Sequence, residues 1–212
     1  INLHSLYSQN KQGWFPWIFE QCRISPGLRI LELGCGDGTL WTDNLSLLPE
    51  DISITLSDIS SGMLRDARRA IGSSDTRFAF RAFDCRKIPC KDESFDLVIA
   101  NHVLFYCDDI PSVLKEVRRV LAPGGRFLCS AYGKAHMQEV SQLVQDFDER
   151  IVLSADRLYE RFGRENGQSI LAPFFPKAQW LSYEDCLLVQ DAEPRRRCLP
   201  PGGHRRGEHP LG

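Results

Sequence analysis

The amino-acid sequence predicts an α/β fold: a doubly wound, mostly parallel sheet with helices on both faces. Three observations carry that expectation. Short continuous apolar runs at 28–33 and 95–100 read as strands buried on both sides. Stripes at helical spacing lie between such runs, most clearly Ile110, Val113, Leu114, Val117, Val120 and Leu121. A glycine cluster, Gly34-Cys35-Gly36-Asp37-Gly38, follows the first run where the chain must turn from strand into helix. Strands alternating with helices give a parallel sheet covered on both faces.

The elements follow in order. After the strand at 28–33, a helix is expected over 39–48, stopped by Pro49. Residues 52–57 read as the second strand. Ser60 caps a helix that ends at Gly72, with Ile59 and Leu64 at hydrophobic-staple spacing and Met63, Leu64, Ala67 and Ile71 on its apolar face. Residues 77–83 alternate polar and apolar, a third strand, and 95–100 are the fourth. Asp109 opens a helix with Pro111 in its first turn, and Pro123-Gly124-Gly125 ends it before a fifth strand at 126–131. A helix is expected over 136–148, with Met137, Val140, Val144 and Phe147 on one side. More helix follows over 156–175, punctuated by Gly163 and Gly167, and 178–189 hold the last strand-like stretch. From Pro194 the composition turns to Arg, Pro and Gly without periodicity, and no packed structure is expected. The organisation read from this is one domain over 1–192 with an aromatic lid helix at about 10–22, then an irregular tail over 193–212.

The 212 residues suit a single domain, and 42% hydrophobic with 25% charged residues is an ordinary composition able to bury a core. No apolar run approaches a membrane span. The start, Ile1-Asn2-Leu3-His4, lacks both a signal-peptide pattern and an initiator Met, as a fragment or processed product would. Eight scattered cysteines without C-x-x-C spacing point to thiols in a reducing cytoplasm, and no Cys/His cluster resembles a metal site. Net charge is −2, yet residues 193–212 carry five Arg against Glu193 and Glu208, leaving about −5 on the rest. An acidic body gives no electrostatic footprint for DNA. RNA or protein brought by a partner stays open, and oligomeric state is not readable.

Four features carry the chemistry. The glycine spacing is G-x-G-x-G, with Thr39 where a dinucleotide loop has its third glycine, which disfavours a pyrophosphate ligand. Read blandly, it is a glycine turn. Asp58 ends the second strand, where a carboxylate can accept from both ribose hydroxyls or cap the following helix. Asp84 ends the third strand, where it can accept from an adenine amino group or be a plain loop residue. Glu32 interrupts the apolar run Ile30-Leu31-Glu32-Leu33, so it needs a partner: a ligand's α-amino group, a water held by it, or an internal salt bridge.

Taken together, these segments resemble class I S-adenosylmethionine-dependent methyltransferases of the small-molecule, type-11-like branch, whose fold is Rossmann-like. Residues 30–38 resemble the family's motif I. Leu56-Ser57-Asp58-Ile59-Ser60-Ser61-Gly62-Met63-Leu64 resembles its post-I segment, and Phe83-Asp84-Cys85-Arg86-Lys87-Ile88-Pro89 its adenine-side loop. Residues 95–104 resemble its fourth-strand motif and 117–125 the segment leading into the fifth strand. The resemblance implies S-adenosylmethionine as cofactor. It implies that Gly34, Cys35, Gly36 and Gly38 line methionine and ribose, that Asp58 binds the ribose with Ile59 and Met63 nearby, and that Asp84 and Cys85 hold the adenine. Glu32, Asn101 and His102 fall at the methionine end. The family's sheet has seven strands, so the seventh, C-terminal edge strand is expected to be absent here.

The implied activity is methyl transfer to a small-molecule acceptor. His102 is the candidate general base, against a packing role for it. Tyr7, Trp14, Phe105, Tyr106 and Tyr132 are the candidate acceptor-pocket residues, with His136 behind them. Asn101-His102-Val103-Leu104 is not the Asn/Asp-Pro-Pro-Tyr motif of many base- and glutamine-directed methyltransferases. Two competing readings share parts of the pattern: a nicotinamide-dependent Rossmann oxidoreductase, and a non-catalytic S-adenosylmethionine-binding protein.

Overall fold

A computed structural model of the protein describes residues 2–151 and 157–189. Five parallel strands form one sheet: β1 (Arg29–Leu33), β2 (Ser53–Asp58), β3 (Phe78–Ala82), β4 (Phe95–Ala100) and β5 (Leu121–Cys129), in the order β3-β2-β1-β4-β5. The order reverses between β1 and β4, and there the carboxyl ends open a crevice, the usual place for a ligand in such sheets. In β1, Ile30 and Glu32 face one side while Leu31 and Leu33 face the other, each with its own core.

Helices α2 (Trp14–Cys22), α3 (Thr39–Thr42) and α4 (Ser61–Ile71) cover the first side, burying Ile18, Cys22, Leu40, Trp41, Leu64, Ala67 and Ile71 against Ile54, Leu56, Leu97 and Ile99. Helices α5 (Ile110–Val120), α7 (Leu158–Arg161) and α8 (Gly167–Leu171) lie on the second side, where Val113, Leu114, Val117 and Val120 meet Leu31, Leu33 and Val98. Between α5 and α7, α6 (Gln138–Phe147) buries none of its residues. Its predicted apolar stripe is real in sequence, yet Phe147 is 87% exposed.

Several expectations are corrected. The helix foreseen over 39–48 breaks after one turn and resumes as a 3₁₀ turn, Leu45–Leu47. Thr42, Asp43 and Asn44 are weak helix formers, and the buried Asn44 amide donates to the Leu40 carbonyl at 2.7 Å, a local bond that competes with the helix. The helix expected over 156–175 with punctuation at Gly163 and Gly167 is, in the described residues, two short pieces interrupted there. Asn166 accepts from the Gly163 N–H at 2.7 Å and donates to the Glu160 carbonyl at 2.6 Å, replacing helical bonds there. No helix separates β3 from β4. That connection is held by the Arg119 guanidinium, which donates to the Ile88 and Cys90 carbonyls and to Asp92 and Glu116. Strand β5 begins at Leu121, earlier than Arg126, and Pro123-Gly124-Gly125 forms a bulge between the pairings Phe95↔Leu121 and Leu97↔Arg126. The staple between Ile59 and Leu64 is absent: Leu64 is buried and Ile59 is 78% exposed.

The described residues divide into two compact units, one within 14–182 and the other formed by 2–13 with 183–189. In the smaller unit α1 (Asn2–Tyr7) leads to an antiparallel bridge between Ser8 and Leu187. Asp185 accepts from the Ser8 hydroxyl and the Asn10 N–H, and the Leu188 N–H donates to the Tyr7 carbonyl at 3.0 Å. The strand expected over 178–189 therefore spends its one bridge on the N-terminal segment and adds no strand to the sheet. The unpacked tail foreseen beyond Pro194, and with it the missing seventh strand, falls outside the described residues. No described helix is long and apolar enough to cross a membrane.

Two glycines at the end of β1 make contrasting demands. Both have left-handed backbones, Gly34 at φ +66° and Gly36 at φ +56°. A Cβ on Gly34 would stand 2.5 Å from Val103 Cγ2, whereas none of the described atoms lies within 4 Å of one on Gly36. Gly34→Ala is expected to cost about 2–4 kcal/mol of unfolding free energy, strain plus overpacking. Gly36→Ala is expected to cost only about 1–2 kcal/mol, the backbone strain. Urea unfolding of both variants measures the difference, and equal costs would contradict the close approach to Val103.

Candidate functional site

The glycine loop sits at the crevice, and three of its amides have separate acceptors. The Cys35 N–H donates to the Ser57 carbonyl at 2.9 Å, and the Gly38 N–H to the Cys35 carbonyl at 3.1 Å. The Gly36 N–H donates to Asp58 Oδ2 at 3.0 Å, while Asp58 Oδ1 accepts from the Ser60 N–H at 2.8 Å. Asp58 thus holds the loop and the entry to α4 at once. Each of its oxygens keeps a further lone pair for a ligand donor. Ser60 caps α4 by accepting from the Met63 N–H at 3.3 Å. Ile59 and Met63, the latter 44% exposed, leave apolar surface open at the same rim.

Glu32 does not point at this open space. Strand alternation turns it into the first core, where its Oε2 accepts from the Trp41 indole N–H at 2.5 Å. Burial pushes the Glu32 carboxyl up to about 7, the indole bond opposes that, and the negative charge of Asp58 adds to it. The salt bridge weighed for this position is replaced by a neutral donor nine residues further on.

At the end of β3, Asp84 forms a two-pronged pair with Arg86, the closest contact 2.6 Å, and also accepts from the Arg86 N–H at 2.8 Å. That guanidinium holds the Asp84 carboxyl below its usual range. Next to it, Cys85 Sγ lies 3.6 Å from Cys107 Sγ.

The turn after β4 is strained and locked. His102 has φ +56°, uncommon for a non-glycine residue and a conformation that recurs at functional sites. Buried Ser130, at the end of β5, holds it. Its hydroxyl donates to Asn101 Oδ1 at 2.7 Å and accepts from the His102 N–H at 2.9 Å. Nothing in the sequence singled out Ser130; its signal would have been a polar residue ending an apolar strand. The His102 ring lies 4.9 Å from Trp14, 5.9 Å from Phe105 and 6.2 Å from Tyr132, centroid to centroid, and Tyr132 stacks on His136 at 4.7 Å. His102 Nδ1 is buried with no hydrogen-bond partner among the described residues. Burial, with a smaller push from His136, takes the imidazole down to about 4, so it is neutral at physiological pH. Phe105 is buried in the second core, Tyr106 is exposed, and Tyr7 belongs to the smaller unit.

A five-stranded parallel sheet with a glycine cradle, and an acidic residue ending the neighbouring strand, make a Rossmann-like fold. Comparison with known proteins points to methyltransferases. Residues 31–129 match a family model described as a methyltransferase domain. A demethylmenaquinone methyltransferase from Symbiobacterium thermophilum is 33% identical over 120 residues, 56% of this chain and 48% of that protein. A sterol 4-C-methyltransferase from Caenorhabditis elegans is 32% identical over 111 residues, 52% of this chain and 33% of that protein. The crystal structure of an S-adenosylmethionine-dependent methyltransferase from Mesorhizobium loti is 30% identical, with TM-score 0.50 over 59% of this chain and 57% of that one. Over residues 31–129 the chain is similar to class I S-adenosylmethionine-dependent methyltransferases, whose cofactor is S-adenosylmethionine. It spans half or less of the length of the two curated relatives. The nicotinamide reading is set aside by these matches together with Thr39.

The Glu32 shift fixes a stability profile. A carboxyl that keeps its proton to about 7 when folded, but only to about 4.5 when unfolded, favours the fold fully below pH 4.5. That contribution declines as pH rises to 7 and is then gone. Its size is roughly 3 kcal/mol. Glu32→Gln is expected to abolish this decline, so the stability difference between variant and wild type should change by that order between pH 4.5 and 7.5 in urea titrations. Parallel profiles would show that Glu32 is ionised in the fold.

Proposed function

We propose that this domain transfers a methyl group from S-adenosylmethionine to a small, largely apolar acceptor. One observation carries the cofactor half: a backbone cradle at Gly36, open where a Cβ would stand, next to Asp58 at the point where strand order reverses. Those residues fit the group. Gly34, Cys35, Gly36 and Gly38 would hold its methionine and ribose portions, and the remaining lone pairs of Asp58 would accept from the ribose hydroxyls. Ile59 and Met63 would cover the adenine with apolar surface, and Asp84 with the Cys85 backbone would meet its edge. Asn101 and His102 would stand at the methionine end.

When bound, the cofactor supplies an electrophilic methyl on a sulfonium. The chain's own residues then have to orient an acceptor and exclude water. Trp14, Tyr132 and His136 gather around His102 and give an apolar, aromatic wall for that purpose. A neutral imidazole with so low a proton affinity is a poor general base near pH 7, so His102 serves better as a positioning group. An apolar wall and an acidic body support a small-molecule acceptor, as do relatives named for a sterol and for demethylmenaquinone. The scattered cysteines, free among the described residues, support a reducing, cytoplasmic setting.

Titration calorimetry with S-adenosylhomocysteine tests the reading. Wild-type protein is expected to bind in the micromolar range, about −8 kcal/mol, and Asp58→Ala to bind at least tenfold more weakly. Folded protein that binds NADH but not S-adenosylhomocysteine would overturn it.

A further inference from the structure

We propose that Cys85 and Cys107 form a reactive dithiol that hydroperoxides oxidise to a disulfide, tying the loop after β3 to the turn after β4. The two residues are 22 apart in sequence and follow strands β3 and β4, which β2 and β1 separate in the sheet, yet their sulfurs lie 3.6 Å apart. A disulfide needs roughly 2.0 Å. Both residues sit outside the strands, Cys107 just past the 3₁₀ turn Leu104–Tyr106, so the remaining contraction falls on connecting segments and not on the ladder.

Access and reactivity agree. Both thiols are partly exposed, and a cavity of about 380 Å³ opens onto Cys107 between Asp108, Ile110, Pro111, Arg161 and Ile170. The hydrogen bond shared with Cys85 favours the Cys107 thiolate, and Arg86 adds to that, against burial and the charges of Asp84 and Asp108. The cavity lining includes Cys107 and not Cys85, so Cys107 is the sulfur a peroxide meets first and the attacking one. Its thiolate attacks the peroxide: the S–O bond forms, the O–O bond breaks, and the leaving oxygen departs as water or alcohol. The Cys85 sulfur then attacks the sulfenic sulfur. An S–S bond forms, the S–O bond breaks, and the hydroxyl leaves as water with the Cys85 proton. Two electrons pass from the thiols to the peroxide.

The consequence for binding rests on the methyltransferase reading, in which Asp84 and Cys85 form the adenine edge. Drawing Cys85 toward Cys107 shifts that edge, and S-adenosylhomocysteine affinity is expected to fall about tenfold.

The test treats the full chain with graded hydrogen peroxide, blocks the remaining thiols and maps disulfides by mass spectrometry. Calorimetry with S-adenosylhomocysteine runs on the same samples. The expected result is a Cys85–Cys107 bridge that forms before the other cysteines react and is reversed by dithiothreitol. Cys107→Ser should keep the affinity of reduced wild type and lose its peroxide sensitivity. Cys85 and Cys107 remaining thiols while other cysteines oxidise, or each passing separately to sulfinic acid, would overturn the dithiol. A bridge that leaves affinity unchanged would overturn its link to the site. Reduced protein that fails to bind S-adenosylhomocysteine would defeat the methyltransferase reading instead, while the mapped bridge still decides the dithiol.

Discussion

The crevice depends on one carboxylate. A loop with left-handed backbones at Gly34, Gly36 and Gly38 cannot satisfy its amides by repeating structure, so each needs a separate acceptor. Asp58 supplies the central one and, with its other oxygen, fixes the Ser60 N–H where α4 begins. Bonds from amides to an ionised acceptor are stronger than neutral ones. The loop after β1 is thereby coupled to the helix after β2. The same charge also feeds back on Glu32, adding to the burial that keeps its proton on.

The sheet was readable because its signals are local. Continuous apolar strands, the Ser60 and Asp109 caps, and the glycine cluster each occupy a few consecutive residues, and β1, β2, β3 and β4 fall where those signals put them. What could not be read is tertiary pairing between residues with no periodic relation. Ser130 reaches Asn101 across 29 positions, Arg119 reaches Ile88 across 31, and Cys85 meets Cys107 across 22. Glu32 shows both sides of this. Its need for a partner followed from burial alone, but the partner, Trp41, followed only from knowing which strand face meets α3. The stretch 178–189 failed for the opposite reason. Its local pattern was adequate, and its pairing with Ser8 was decided elsewhere in the chain.

Three exceptions to ordinary folding rules lie at or after strand ends: a buried carboxyl within an apolar strand, a left-handed histidine, and an exposed isoleucine where a staple would form. Each is held by something specific. Trp41 meets the carboxyl, Ser130 meets the histidine turn, and Ser60 caps α4 without help from Ile59. Local departures that the surroundings enforce are the usual mark of a working site. A helix needing only stability would have buried Ile59. Leaving it open gives up apolar burial of about 2 kcal/mol in the free protein, which a flat apolar ligand face can recover on binding. The same logic applies to His102. Burying its ring among aromatics lowers its proton affinity and removes it as a base near neutral pH, but it leaves an aromatic wall there. Displacement at a sulfonium gains from such a wall, because charge disperses as the methyl moves and water would compete for it. On the proposed reading the acceptor supplies its own nucleophile, and this chain orients it and excludes water.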